Sequence, residues 1–318
     1  MKLLFVIILS LFVLAVSASG QGSDNADFNL ALPDHPGQLR FQAQGFQIVQ
    51  SSAKPNGNEI GIRGSSTSGL GFLAFLFLLP EQKSLTSAAC RDIELNTEKQ
   101  GDRAFKISSL SDIRGNPPIA LASYTYGKKM HAARAFIASS NLCGDLEFYS
   151  SSSIDANDPR VKAILGTLQL DPTHAPQFRD VFLYAELLYH AEQYKPAAHL
   201  FEKALTMLPD GANQQTQRRI LTDQAGMAYG ISGDINKARD IFNAAIANDP
   251  DYPLYYYNLA CADAEEHKLA DARVHLQQAF ERKANVIKGE SIPDPTKDDS
   301  FTPYRNDKAF WDFLKALH

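Results

Sequence analysis

The sequence lacks the usual signatures of catalysis and metal binding. It has no His-Glu-x-x-His, no Gly-x-Ser-x-Gly and no phosphate-cradling glycine loop followed by lysine. Its three cysteines include no close pair for a metal, and its eight histidines are scattered without ligand spacing, so no cofactor is expected. His199 and His275 are expected to decorate helix surfaces. Asp92 and Glu94 are neighbours in sequence, but a helix points them apart, so they do not form an acid/base pair. Basic residues are not in excess: 31 Lys and Arg stand against 36 Asp and Glu, a formal charge of −5. A chain of this balance does not grip phosphate backbones by default, and no nucleic acid is expected as a partner. The stretch Gly61 to Gly71 is rich in glycine and serine, but a strand pattern follows it rather than a helix. It reads as a hairpin loop and not an anion site.

Long apolar runs are also lacking. The longest, Leu3 to Val16, is shorter than the roughly 20 residues a membrane span needs. It follows Met1-Lys2 and precedes the small residues Ser17-Ala18-Ser19-Gly20, which is the layout of a secretory signal peptide over residues 1–20; an uncleaved anchor is the alternative. Cleavage would remove Lys2, leave a charge of −6, and place the chain in a secreted or periplasmic setting with no stable membrane anchor. In an oxidising compartment Cys90 and Cys143 are the natural disulfide pair, with two reduced, buried thiols as the alternative. Cys261 is expected to stay free.

What the sequence does contain is a repeated unit. Ala185, Gly226 and Ala260 recur in steps of 41 and then 34 residues, as do Ala197, Ala238 and Ala272, then Phe201, Phe242 and Leu276, then Ala204, Ala245 and Ala279. Small residues where helices cross let backbones approach, and the aromatic positions fill the gap to the next unit. Pro209 and Pro250 close the first two units, because proline cannot continue a helix. Ala284 stands in that place in the third. The turn Ser232-Gly233-Asp234 supplies a glycine for the reversal and a capping aspartate; Glu192 and His267 occupy the glycine position in the other two units. These residues resemble the tetratricopeptide repeat, whose unit is about 34 residues long; an unrelated alanine-rich helical bundle is the alternative. The first step then carries a seven-residue insertion around Asp210 to Gln217.

The resemblance implies three helical hairpins over residues 174–286, with the first helix of each lining a concave, partner-binding groove. Carried over residue by residue, the groove consists of Arg179, Phe182, Glu186, Tyr189 and His190 in unit one. Unit two adds Asp223, Met227 and Ile231, and unit three adds Tyr257, Cys261 and Glu265. No Lys/Asn/Arg clamp for a C-terminal carboxylate is present. The ligand is expected to be a protein or peptide, unless the chain's own C-terminal tail covers some of these residues. That tail, residues 287–318, has a Pro/Asp-rich stretch and a closing helix Asp307 to Leu317 with Phe310, Phe313, Leu314 and Leu317 on one face. Phe301, Tyr304 and Trp311 are expected to anchor it as a cover for the last repeat, or else to form a partner-binding patch.

The N-terminal half is different. After a linker over residues 21–38, the stretch 39–171 alternates like strands at Phe46–Val49, Glu59–Ile62, Ala104–Ile107, Ala120–Tyr126, His131–Ala138 and Leu146–Tyr149. Gly71 to Leu79 is apolar throughout and reads as a strand buried on both faces, or as a short core helix. Helices are expected from Ser84 to about Lys99 and from Asp158-Pro159. The fold class is therefore α+β: a mostly antiparallel sheet with helices, followed by an all-α helical-hairpin array. The layout and the segment Ile164-Leu165-Gly166-Thr167-Leu168 also resemble Mog1/PsbP-like domains, a likeness that carries over no functional residue. The expected function is an exported, non-enzymatic protein-interaction module, a scaffold or assembly factor of the cell envelope. The alternative is an envelope hydrolase or ligand-binding protein with its site in the α+β half.

Overall fold

The computed structural model describes residues 27–101, 104–127, 130–209 and 214–317. The expected signal segment and part of the expected insertion after Pro209 lie outside them. The fold is α+β, with antiparallel sheets first and a helical array after them. By their internal contacts the described residues form two compact units, which meet in the chain between Leu187 and Leu188.

In the first unit, strands β3 (Phe46–Ala53), β4 (Glu59–Ser66), β5 (Gly71–Leu78), β6 (Lys106–Ile113), β7 (Ile119–Tyr126), β8 (Met130–Ser139) and β9 (Leu142–Ser150) make one antiparallel sheet. Its order is β3-β4-β5-β9-β8-β7-β6. A second sheet pairs β1 (Asp27–Ala31) and β10 (Gln169–Asp171) with β2 (Gln38–Gln42) between them. Residues 27–31 are thus a strand, not the expected linker: Phe28 and Leu30 alternate inward and give this Asp-rich stretch a reason to be ordered. Strand β5 lies inside the sheet between β4 and β9, and both its faces are covered. Phe72 meets Phe28 and Phe41 of the small sheet, while Phe75 and Phe77 face helix α1 (Ser87–Gly101). Burial on both sides accounts for its unbroken apolar sequence. The glycine-rich stretch is mostly strand; only residues 67–70 turn.

Helix α1 packs on β7 and β8 and is pinned by a disulfide from Cys90 to Cys143 of β9, as expected. Beneath α1 a charge network sits on the sheet. Arg134 of β8 donates from Nε to both Asp145 carboxylate oxygens, at 2.9 and 3.0 Å, and reaches Glu94 and Glu98 of α1 at 3.4 and 3.3 Å. Asp92 instead pairs with Arg91, so Asp92 and Glu94 do point apart. Helix α2 (Pro159–Leu165) starts at an Asp158 cap and buries Val161, Ile164 and Leu165.

The helical array comprises α3 (Phe178–His190), α4 (Tyr194–Met207), α5 (Gln215–Ile231), α6 (Ile235–Asn248), α7 (Pro253–Glu265) and α8 (Leu269–Glu281). The register of the repeats is visible in their turns. Glu192, Gly233 and His267, the three equivalent positions, all adopt left-handed backbone conformations, with φ of 59°, 91° and 62°. The small residues sit where the chain has no room: a Cβ on Gly226 would lie 2.3 Å from the ring of Phe242. Ala197, Ala204, Ala238, Ala272 and Ala279 are all buried. Helix α3 crosses from the first unit into the second, ending there with Tyr189 packed edge-on against Phe201.

After α8 the chain turns back over α7. Helix α9 (Lys308–Ala316) is capped by Asp307, which accepts from the backbone N–H of Phe310, and it buries Phe310 and Leu314. These join Phe301 in one cluster with Tyr256, Tyr257, Ala260, Cys261 and Ala264. The aromatic residues of the tail therefore form the cover; Phe301 is fully buried and Trp311 lies half-buried beside Arg305.

Candidate functional site

Helices α5 and α7 are the first helices of adjacent repeats, and they touch. Their shared face is acidic and partly enclosed. Asn258 of α7 donates to the Asp223 carboxylate of α5 at 2.6 Å. Met227, Asn258 and Glu265 line part of a hollow of about 10 Å³ between α5, α6 and α7, room for no more than one water. Burial pushes the Asp223 carboxyl up to about 8; the Glu290 carboxylate beside it adds to the rise and the Asn258 amide opposes it. Glu265 is raised by burial and by Asp298, against the opposing effect of His267.

The sequence-derived groove residues have different fates. Asp223, Met227 and Glu265 lie together on this face and are partly accessible. Tyr257 and Cys261 do not: they are 2% and 1% exposed. The tail covers them. The Tyr257 hydroxyl donates to Asp298 at 2.9 Å, and its ring packs perpendicular to that of Phe301. Tyr257 as an open binding residue is therefore corrected to a core residue under the tail. The reason is that three repeats leave a short face that the following chain can close. Tyr189 is likewise buried against Tyr194 and Phe201. Arg179, Phe182 and Glu186 lie in the first unit, where Phe182 stacks on Phe178 and Glu186 is buried; His190, at the end of α3, is exposed.

Other residues at this face escaped sequence reasoning. Glu290 accepts from the Tyr252 hydroxyl at 2.9 Å. Asp298 and Ser300 are buried, and Asp298 accepts from the backbone N–H of Ser300 at 2.9 Å. The one signal was the run Asp298-Asp299-Ser300-Phe301, a polar stretch directly before an aromatic anchor. The two histidines expected on helix surfaces do lie there, His199 exposed and His275 partly so, and each also reaches a neighbouring helix. His275 Nδ1 lies 2.6 Å from Asp263 Oδ2, and His199 Nδ1 lies 2.8 Å from the Tyr229 hydroxyl.

In the sheet unit, Glu147 is buried close to Arg134 and Tyr124. Burial pushes its carboxyl up to about 7; Arg134 opposes the rise and Asp145 adds to it. A shallow hollow of about 370 Å³ lies at the start of α1, but the Ser87 hydroxyl there already donates to Pro118 O and accepts from Ala138 N. Among the described residues no cluster of His, Cys, Asp or Glu is arranged to hold a metal ion, and no helix is long and apolar enough to cross a membrane.

No protein-family model matches the chain, and no curated protein matches it. Among solved structures, the TPR domain of Sgt2 from Aspergillus fumigatus is similar at 19% identity over 44% of this chain and 81% of that one, with a TM-score of 0.32. The Yersinia enterocolitica type III secretion chaperone SycD, in complex with a peptide of the translocator YopD, is similar at 16% identity over 44% of this chain and 90% of that one, with a TM-score of 0.30. MamA from Desulfovibrio magneticus is similar at 15% identity over 44% and 73%, with a TM-score of 0.33. Likenesses of this size transfer no ligand to this chain.

Proposed function

We propose that this chain is an exported protein-interaction module of the tetratricopeptide repeat kind, which binds a protein or peptide through the repeats over residues 174–286. One observation carries the reading: the face of α5 and α7 already holds a stretch of polypeptide outside any α-helix, the chain's own segment around residues 287–301. The contacts are those that recognise peptides, a tyrosine hydroxyl on a carboxylate and ring packed on ring. Export is supported by the leader-like residues 1–20 and by the Cys90–Cys143 disulfide, which suits an oxidising compartment. A scaffold or assembly role in the cell envelope follows from export combined with an interaction surface. The Mog1/PsbP-like reading of the first unit rests on its antiparallel sheet and the closing segment Ile164 to Leu168.

The test is affinity capture from envelope extract with the full chain as bait. A specific protein partner, retained by the native chain and lost on Met227→Glu or Glu265→Lys with the circular dichroism spectrum intact, supports the reading. Capture that survives both substitutions moves the site away from this face. A parallel capture with Phe182→Ala and Arg179→Ala asks whether α3 contributes.

A further inference from the structure

Strand β6 forms one edge of the seven-stranded sheet, and among the described residues no strand pairs with its outer side. All eight of its residues are exposed. Three of the five large apolar side chains that stand exposed among the described residues belong to it: Leu110 at 50%, Ile107 at 44% and Ile113 at 39%. Paired residues of neighbouring strands share a face. Ile107 lies opposite Tyr124, Leu110 opposite Ala122 and Asp112 opposite Ala120, so these three are on the face that α1 covers, outboard of that helix. Arg91 of α1 reaches out to Asp112 at 3.3 Å, in keeping with this placement. Ile113, opposite Ile119, is on the other face.

An edge strand carries a row of backbone N–H and C=O groups that another extended segment can pair. Proteins blunt such edges with short strands, lysines, prolines, bulges or a covering element. The opposite edge, β3, is blunted in this way. A bulge interrupts it midway, between Ile48 and Gln50, and half of its side chains are partly buried, Phe46 among them against Phe72. Strand β6 is eight residues long, where about five or six is usual, and it contains no proline. Its one lysine, Lys106, and its bulge, between Ile107 and Ser109, both fall at its first end. From Ser109 to Ile113 it pairs regularly with β7, and Asp112 is the only charged residue there.

We propose that β6 pairs antiparallel with β6 of a second copy of this chain, about a two-fold axis at Leu110, joining the two sheets edge to edge. The strand is complementary to itself. At this register Leu110 meets Leu110 of the second copy on the α1 side, and Ser109 lies opposite Ser111 of the second copy. The two charged residues of the strand stand near opposite ends, so antiparallel pairing brings the Lys106 end of each copy to the Asp112 end of the other. Arg91 is already engaged by Asp92 and Asp112, and Arg114 follows one residue past the strand, outside the paired span. A two-fold interface closes on itself, so association stops at a dimer. The dimer does not depend on what the repeats bind.

Sedimentation velocity over a dilution series of the full chain, with its disulfide intact, reads the dimer. Amide hydrogen exchange reads where it forms: residues Lys106–Ile113 should exchange more slowly in concentrated than in dilute protein. That measurement needs no substitution and stands whatever the fold of a variant. Leu110→Lys sets two like charges against each other on the axis and is expected to weaken dimerisation at least ~10-fold. The circular dichroism spectrum should be unchanged, because the side chain is half exposed in the single copy. Val49→Lys, on the opposite edge, should leave the dimer intact. A chain that is monomeric at every concentration overturns the proposal. So does a dimer that survives Leu110→Lys, one lost equally on Val49→Lys, or one that leaves exchange of β6 unchanged. Assemblies that keep growing with concentration overturn the two-fold arrangement.

Discussion

The Tyr257 hydroxyl donates a 2.9 Å hydrogen bond to Oδ2 of Asp298, a residue 41 positions further along the chain, and both residues are buried. This bond joins the third repeat to the tail that covers it. Tyr257→Ala leaves a cavity in the cluster it shares with Phe301 and is expected to cost about 3 to 5 kcal/mol. Tyr257→Phe keeps the ring and removes one of the hydrogen bonds to the buried Asp298 carboxyl, at a cost of about 1 to 3 kcal/mol. Denaturant unfolding of the two variants measures both; equal stability of Tyr257→Ala and the native chain would put the ring outside the core.

The Cys90–Cys143 bond closes a loop of 53 residues and holds α1 on the sheet. On the chain-entropy model it stabilises the first unit by roughly 4 kcal/mol. Alkylation of the unreduced protein, unfolded in denaturant, should label only Cys261, and all three cysteines after reduction, as counted by mass spectrometry.

Glu192 and Gly233 occupy equivalent left-handed turns, with φ of 59° and 91°. A side chain in that region costs roughly 1 to 2 kcal/mol, part of which glycine gives back in unfolded-chain entropy. Glu192→Gly is expected to raise stability by about 0.5 to 1 kcal/mol, and Gly233→Ala to lower it by about 1 kcal/mol. Opposite shifts in melting temperature are the expected result. His267→Gly should gain less, because its ring packs on Tyr304.

Gly226 has no room for a methyl group while the Phe242 ring stays where it is. Gly226→Ala, and likewise Ala238→Leu or Ala204→Leu, should overpack helix crossings and cost about 1 to 3 kcal/mol each. Thermal unfolding reports this, and unchanged melting in all three would argue against the repeat register.

Glu147 titrates near 7 in the folded protein because it is buried, well above an unfolded carboxyl. A raised carboxyl favours the folded state at low pH, and this contribution disappears as the pH rises through the interval from the ordinary value to about 7. Glu147→Gln removes the dependence. Its stability relative to the native chain should improve between pH 4 and pH 8 by on the order of 2 to 3 kcal/mol. A constant difference across that range would show that Glu147 ionises normally.

Periodicity, read through its resemblance to a known repeat, made the helical half legible. Small and bulky apolar residues recurring at 41 and 34 residues fit stacked hairpins of the tetratricopeptide kind, in which each position meets the same kind of neighbour in every unit. The interior strand β5 and the capped helices α2 and α9 were legible for similar reasons, an unbroken apolar run and an aspartate placed just before a helical face. Strands β1, β2 and β10 were not. They are short, and the hairpin of β1 and β2 is joined by β10 from more than a hundred residues further along, with Leu39 opposite Leu170. The fate of the face of α5 and α7 was also beyond local reading. Tyr257 and Glu265 belong to the same helix, and both carry the chemistry of an interface. One is buried and the other partly open, and this depends on where a tail tens of residues further on comes to rest. Local spacing sets which residues share a helix face; what covers that face is decided only when the distant segments of the chain pack together.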